Sequence, residues 1–191
     1  MLNSSFYALR RLMDGWPGVP AGCIVLERGY YRLSPSLRMM SEVEEFDDHR
    51  ERGRWFERLA RMPEAIREYE MASGLYTGDY LVEDLYDDWT MIERERVAGE
   101  YVDIMESLAS YYADAGEPRK SIEACYRLLA REPCHEESYR LLMHCYARRR
   151  LLKQALHQYR VCEQILRATH GDSPGQETKE LYERLRRGEA I

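Results

Sequence analysis

The chain has 191 residues, with 28 basic and 34 acidic side chains and a formal net charge of -6. Apolar residues make up 45% and charged residues 32%, the balance of a folded chain that can bury a core; the acidic total excludes a uniformly basic nucleic-acid binder. No run of about 18 apolar residues offers a membrane span, and MLNSSFYALRR lacks the apolar centre of a signal peptide. The five cysteines form no tight framework, which fits a reducing, cytoplasmic setting better than a secreted one.

Charge is unevenly spread. Residues 1–38 hold five arginines against Asp14 and Glu27, three positive charges in excess; the other 23 basic and 32 acidic residues leave the rest at -9. β-type residues also cluster only at 24–33, so the chain divides near residue 38, into segments 1–38 and 39–191.

In the first segment, Ser4 or Ser5 is placed to cap a helix running to Met13, with Phe6, Leu9, Leu12 and Met13 as its apolar stripe. Asp14-Gly15 ends it, and Trp16 to Pro20 is turn-rich. Cys23 to Glu27 reads as a strand, Arg28-Gly29-Tyr30 as its turn, and Tyr31 to Leu33 as the return strand. Arg10, Arg11, Arg28 and Arg32 on such a helix and hairpin could neutralise phosphates. The other reading is a helix and hairpin packed on the body, with arginines merely on the surface.

Glu42 to Arg61 reads as a charged helix with Phe46, Trp55, Phe56 and Leu59 as its apolar positions. Met62-Pro63 opens the next, proline being tolerated in a first turn, and Ala65, Ile66, Tyr69, Met71 and Ala72 carry its inner face. Tyr76 to Leu81 reads as a tight turn in which Gly78 takes a backbone shape other residues resist. An acidic patch, Glu83, Asp84, Asp87 and Asp88, precedes a helix from Trp89 to about Tyr101, expected to pack between helix pairs. Its charge run, Glu93 to Arg96, reads as a solvated face, with a partner surface as the alternative.

Residues 102–135 and 136–169 are two copies of one 34-residue unit. Leu108 falls on Leu142, Tyr112 on Tyr146, Ile122 on Leu156 and Leu128 on Cys162. Each copy holds two helix-length patterns around a polar break. Its own apolar stripe needs a stacked neighbour to be buried. Leu108, Tyr112, Leu142, Tyr146, Ala155 and Tyr159 are therefore expected to be packing residues. Arg150 replaces Gly116 at the break, which weakens the turn signal there. Aligning Phe46 with Val102 makes residues 46–79 an earlier, degenerate repeat, with His49 and Gly53 at packing sites. After His170-Gly171, Asp172 or Ser173 is placed to cap a final helix. That helix has Pro174 in its first turn and an inner row of Thr178, Leu181, Tyr182 and Leu185, and it covers the open end of the array.

Catalytic and metal chemistry find little support. His135-Glu136 opens like a zinc-protease motif, but Tyr139 stands where the second histidine is needed. His144 and Cys145 are helix neighbours pointing about 100° apart, so they and Cys134-His135 do not converge on a metal. Cys125 and Cys162 sit at inner positions as buried thiols. There is no phosphate-binding glycine loop and no nucleophile elbow. The expectation is no metal, no cofactor and no enzyme.

The residues also carry resemblances. The 34-residue units resemble tetratricopeptide repeats, which implies an all-α array of stacked helix pairs, an alpha-alpha superhelix, behind a small helix and β-hairpin. Asn3 through Pro35, with ALRRLM and LERGYYRL, resembles the second half of a winged-helix domain of the response-regulator type. That implies a recognition helix with Arg10 and Arg11 toward DNA, and a wing supported by Tyr31 and Leu33. The small sheet and two helices that such a domain places ahead do not precede Met1, so a fragment or a decayed domain is expected. Tyr76 with Gly78, Asp79, Tyr80 and Leu81 is one mark of a wider likeness. Trp89 with Arg94 and Arg96 is a second, and Pro133 with Glu136, Tyr139, Arg140, Leu142 and Met143 is a third. Over residues 40–187 the chain is similar to the bacterial transcriptional activator domain of antibiotic-regulatory activators. The resemblance implies a transcriptional regulator whose helical part contacts protein partners, such as the transcription machinery or a second copy. DNA is expected to bind this chain weakly or not at all, and a longer form well. The alternative is a standalone repeat-type adaptor that binds no DNA.

Overall fold

The computed structural model describes residues 2–35, 37, 40–81 and 88–189. They form two compact units, Met1–Ser41 and Glu42–Ile191.

The first unit is helix α1 (Leu2–Met13) and a hairpin of β1 (Ile24–Glu27) and β2 (Tyr30–Leu33). Helix α1 begins ahead of Ser4 and Ser5, so neither serine caps it; both are taken into its first turn, where serine's intermediate propensity is tolerated. Asp14 caps the following loop instead, its Oδ1 accepting the Gly22 N–H at 2.9 Å. The hairpin pairs Ile24 with Leu33 and Glu27 with Tyr30, which puts Tyr30 in the strand. Arg28 (φ 51) and Gly29 (φ 86) form a two-residue turn with both φ positive, the geometry that matches strand twist. Cys23 and Ile24 are buried, and the Phe6 ring stacks on Tyr31 at 3.9 Å.

The second unit is a helical repeat array, as the 34-residue register implies. It runs α2 (Glu42–Arg58), α3 (Met62–Leu75), α4 (Asp88–Asp114), α5 (Pro118–Leu129), α6 (Glu136–Arg148), α7 (Leu152–His170) and α8 (Gln176–Arg186). Helices pair as α2 with α3, α4 with α5 and α6 with α7, and α8 packs on α7 and α6. No helix among the described residues is long and apolar enough to cross a membrane.

The separate helix expected from Trp89 to Tyr101 does not exist. It is continuous with the first helix of the next repeat, because Val97, Tyr101, Ile104, Met105, Leu108, Ala109 and Tyr112 form one unbroken buried stripe at helical spacing. The turns within the three pairs share one geometry. Ala60 (φ 57), Gly116 (φ 74) and Arg150 (φ 57) are left-handed. The next N–H in each case reaches back across the turn, Arg61 to Phe56 O at 3.0 Å, Glu117 to Tyr112 O at 2.8 Å and Leu151 to Tyr146 O at 2.9 Å. This is the Schellman closure, and the lost glycine at Arg150 does not alter it.

One core runs from Phe46 to Leu166 across α2 to α7; a second, Met143, Ala155, Leu181 and Leu185, seals the end under α8. Ser121 fits this interior because its buried hydroxyl donates to Ala109 O at 2.8 Å. Three expected inner residues are exposed instead. With Phe46, Arg50 and Gly53 facing inward, Trp55 falls on the other side of α2. Leu59 lies in the turn beyond that helix, and Met71 is off the 65, 66, 69, 72 stripe of α3.

Candidate functional site

In the first unit, Arg10 Nη2 donates to the Ile24 carbonyl at 2.5 Å and Arg32 pairs with Glu27 at 2.5 Å. Arg11 and Arg28 are exposed. Two of the four candidate phosphate-binding guanidiniums are thus engaged in holding helix and hairpin.

In the second unit, the loop after α3 is held from three sides. Tyr76 stacks on Tyr101 at 4.1 Å and its hydroxyl donates to Asp79 at 3.2 Å; burial pushes this phenol up to about 12. Arg131 pairs with Asp79 at 2.6 Å and covers the Tyr76 ring at 5.0 Å. Arg94 donates to the carbonyls of Tyr80 at 2.8 Å and Leu81 at 3.0 Å. Gly78 does not have a positive φ; the left-handed residue is Leu81, at φ 46. The Arg94 bonds hold that conformation, so the demand falls at the carbonyls Arg94 reaches rather than at the glycine.

Of the charge run on α4, expected as a solvated face, Glu95 is exposed, while Glu93, Arg94 and Arg96 are half-buried and engaged. Arg96 makes two bonds of 2.9 Å to Asp47 on α2 and pairs with Glu93 and Glu100 at 2.5 Å each. Hydrogen bonding from Arg96 holds the Glu93 carboxyl below its ordinary range, while burial pushes Glu100 up. Arg50 adds a 3.2 Å contact to Glu100, and its buried Nε has no hydrogen-bond partner. Asp47 and Arg96 lie 49 positions apart, with no local period to announce the pairing. The side chains of Glu83, Asp84, Asp87, Asp88 and Trp89 lie outside the described residues.

The repeat residues sit at helix contacts. Leu108, Leu142, Tyr112 and Ala155 are buried, and Tyr146 and Tyr159 half-buried. Tyr112 donates to Glu70, Tyr146 shares a 3.1 Å bond with Tyr126, and Tyr159 stacks on Tyr182 at 4.1 Å. His49 is half-buried and bonds Glu68 at 2.7 Å. The Pro133 carbonyl accepts from Tyr139 at 3.0 Å. Glu136 takes the role expected of Asp172 or Ser173. Its Oε1 accepts the Gly175 N–H at 2.8 Å and the Thr178 hydroxyl, so α8 is capped from α6, with Pro174 ahead of the helix. Such a cap is set by tertiary contact and has no signature next to α8 in the sequence.

Burial pushes the Cys125 and Cys162 thiols up to about 12, which suits packing rather than nucleophilic chemistry. His135 caps α6, accepting the Ser138 N–H at 3.3 Å. Among the described residues no three His, Cys, Asp or Glu side chains converge as metal ligands. The surface differs in character on α2. There, an open hollow of about 580 Å³ is lined by Arg50, Arg52, Arg54 and Arg58 around Trp55.

Residues 42–186 match the family described as the bacterial transcriptional activator domain. The structure of Mycobacterium tuberculosis EmbR in complex with a low-affinity phosphopeptide is similar to the whole chain, with a TM-score of 0.66 and 20% identity. This chain spans 50% of that one. The C-terminal tetratricopeptide-repeat domain of a Plasmodium falciparum FK506-binding protein is similar over 78% of this chain and 93% of its own, with a TM-score of 0.55 and 16% identity. At these identities the likeness is one of fold. No curated protein is matched.

Proposed function

The chain belongs to the bacterial transcriptional activator domain family, and on that footing we propose that it regulates transcription without catalysis, in the cytoplasm, its helical repeats acting as a platform for protein contacts. The observation that carries this reading is the extent of the family match, which takes in the repeat array from α2 to α8. The inner polar groups support it. Arg94, Arg96, Arg131 and Glu136 are spent on holding loops and helix ends, as befits a scaffold. Stacked repeats offer extended outer surfaces for a partner, either the transcription machinery or a second copy of the chain. DNA contact by this chain is weak, because Arg10 is bound to the Ile24 carbonyl and the chain as a whole carries -6.

Affinity capture from native extract after mild cross-linking tests the reading. Recovery of RNA polymerase subunits with the full chain is the expected result. Recovery of only an enzymatic or envelope complex would count against it. Anisotropy against promoter DNA should show weak, salt-sensitive, sequence-blind binding.

A further inference from the structure

We propose that the face formed by Arg52, Trp55 and Arg58 at the end of α2, with Leu59 in the turn after it, docks an acidic protein segment that carries one large apolar side chain. The proposal rests on the protein-contact reading and names a surface and a partner chemistry for it.

Trp55 on the last turn of α2 and Leu59 in the turn just beyond it are 48% and 50% exposed. The Trp55 ring is held edge-on against Phe56 at 4.9 Å, and Phe56 is covered in turn by the Arg61 guanidinium at 4.8 Å. The indole is therefore positioned rather than loose. Around it, Arg54 meets Asp103 at 3.1 Å and Arg52 meets Asp48 at 3.8 Å, both guanidiniums remaining substantially exposed. Arg58 is exposed and has no ion pair among the described residues. Arg50 also lines the hollow but is buried and turned to Glu100, so the face itself sets Arg52, Arg54 and Arg58 against Asp48 and Glu51, one positive charge in excess. The chain as a whole carries -6. A local positive face on an acidic body attracts an acidic segment to one place and repels it elsewhere. Arginine presents a planar fork to carboxylates, and exposed Trp with Arg is the composition of interface anchors. Duplex DNA fits less well. Glu42, Glu44 and Glu45 line the first turn of the same helix, where a phosphate backbone following it would meet them and a short segment lying over residues 52–59 would not. An apolar side chain also gives Trp55 and Leu59 a partner that phosphates do not.

The test uses the full chain and a fluorescein-labelled synthetic peptide of about twelve residues, glutamates flanking one phenylalanine, read by anisotropy. Wild type should bind, and Arg58→Glu and Trp55→Ala should each weaken binding by about tenfold. Arg167→Glu, on exposed α7 surface, should leave it unchanged. Replacing the peptide's glutamates by glutamine, or its phenylalanine by alanine, should cost about as much. Arg58 is exposed, so an unchanged melting curve is expected to accompany its loss of binding; Trp55→Ala, which gives up the contact with Phe56, should melt slightly lower while staying folded. No binding by wild type, or binding indifferent to Arg58→Glu and Trp55→Ala, overturns the proposal. So does duplex DNA that binds through Arg58 while the peptide does not. If polymerase is still captured when the peptide result fails, only this surface assignment falls. If the peptide binds as expected and polymerase is not captured, the transcriptional reading falls instead.

Discussion

The Tyr69 ring occupies the space that a side chain on Gly53 would need: a Cβ there falls 2.3 Å from Tyr69 Cε1 and 2.5 Å from Cδ1. Both residues are buried, and the contact sets how closely α2 and α3 approach. Gly53→Ala should therefore destabilise the protein by about 1–3 kcal/mol, the overpacking cost outweighing alanine's better helix propensity. Urea unfolding measures it, and adding Tyr69→Leu should return part of the loss. An unshifted midpoint for Gly53→Ala would contradict this packing.

Gly116 and Arg150 hold the same left-handed turn with different side chains. A side chain in that conformation costs roughly 1–2 kcal/mol, offset in part by glycine's greater freedom in the unfolded chain. Arg150→Gly should stabilise by about 0.5–1 kcal/mol, and Gly116→Ala should destabilise by about 1 kcal/mol. Thermal melts of the two variants should shift in opposite directions; shifts of the same sign would refute the shared geometry.

Acid should act through the Arg96 cluster. The Glu93 carboxyl is held below its ordinary range by hydrogen bonding from Arg96, so its contribution is present above the unfolded carboxylate range and is lost as pH falls through the folded value. Glu100, raised by burial, has the opposite slope. Glu93→Gln should be less stable than wild type near neutrality, and should lose less on acidification from about pH 6 to about pH 3. Parallel stability curves for the two proteins would show that the pairing contributes nothing.

Glu136 closes the array by capping α8 through Gly175 and Thr178. Glu136→Ala should cost about 0.5–2 kcal/mol, in the range of a lost cap. Amide exchange should quicken at residues 175–181, with α4 and α5 unaffected. Unchanged exchange in α8 would mean that its apolar contacts alone hold it.

How far this architecture can be read from the chain depends on the range of each interaction. The stripe through Leu108, Tyr112, Leu142 and Tyr146 is legible because helix burial recurs at fixed spacing. The hairpin is legible because Arg28-Gly29 is local turn chemistry. The continuity of α4 was obscured by a repeat frame that suggests a boundary at Val102, where no helix-breaking residue stands. Trp55 misleads because aromatic character says nothing about which side of α2 will be covered. The Asp47–Arg96 bonds, the Arg94 grip on Tyr80 and the Glu136 cap join residues far apart in sequence, so no local pattern contains them. The same holds for the α2 arginine face: its residues are visible one by one, but their exposure is a product of the packing.

The most direct measurement tethers the full chain to an unrelated DNA-binding domain upstream of a reporter promoter in bacterial cells. If the helical repeats regulate transcription through protein contacts, the tethered chain should raise reporter output. Leu142→Ala, which should cost about 2–5 kcal/mol of core packing, should abolish the rise. A folded, tethered chain that leaves the reporter at its untethered level would contradict the account.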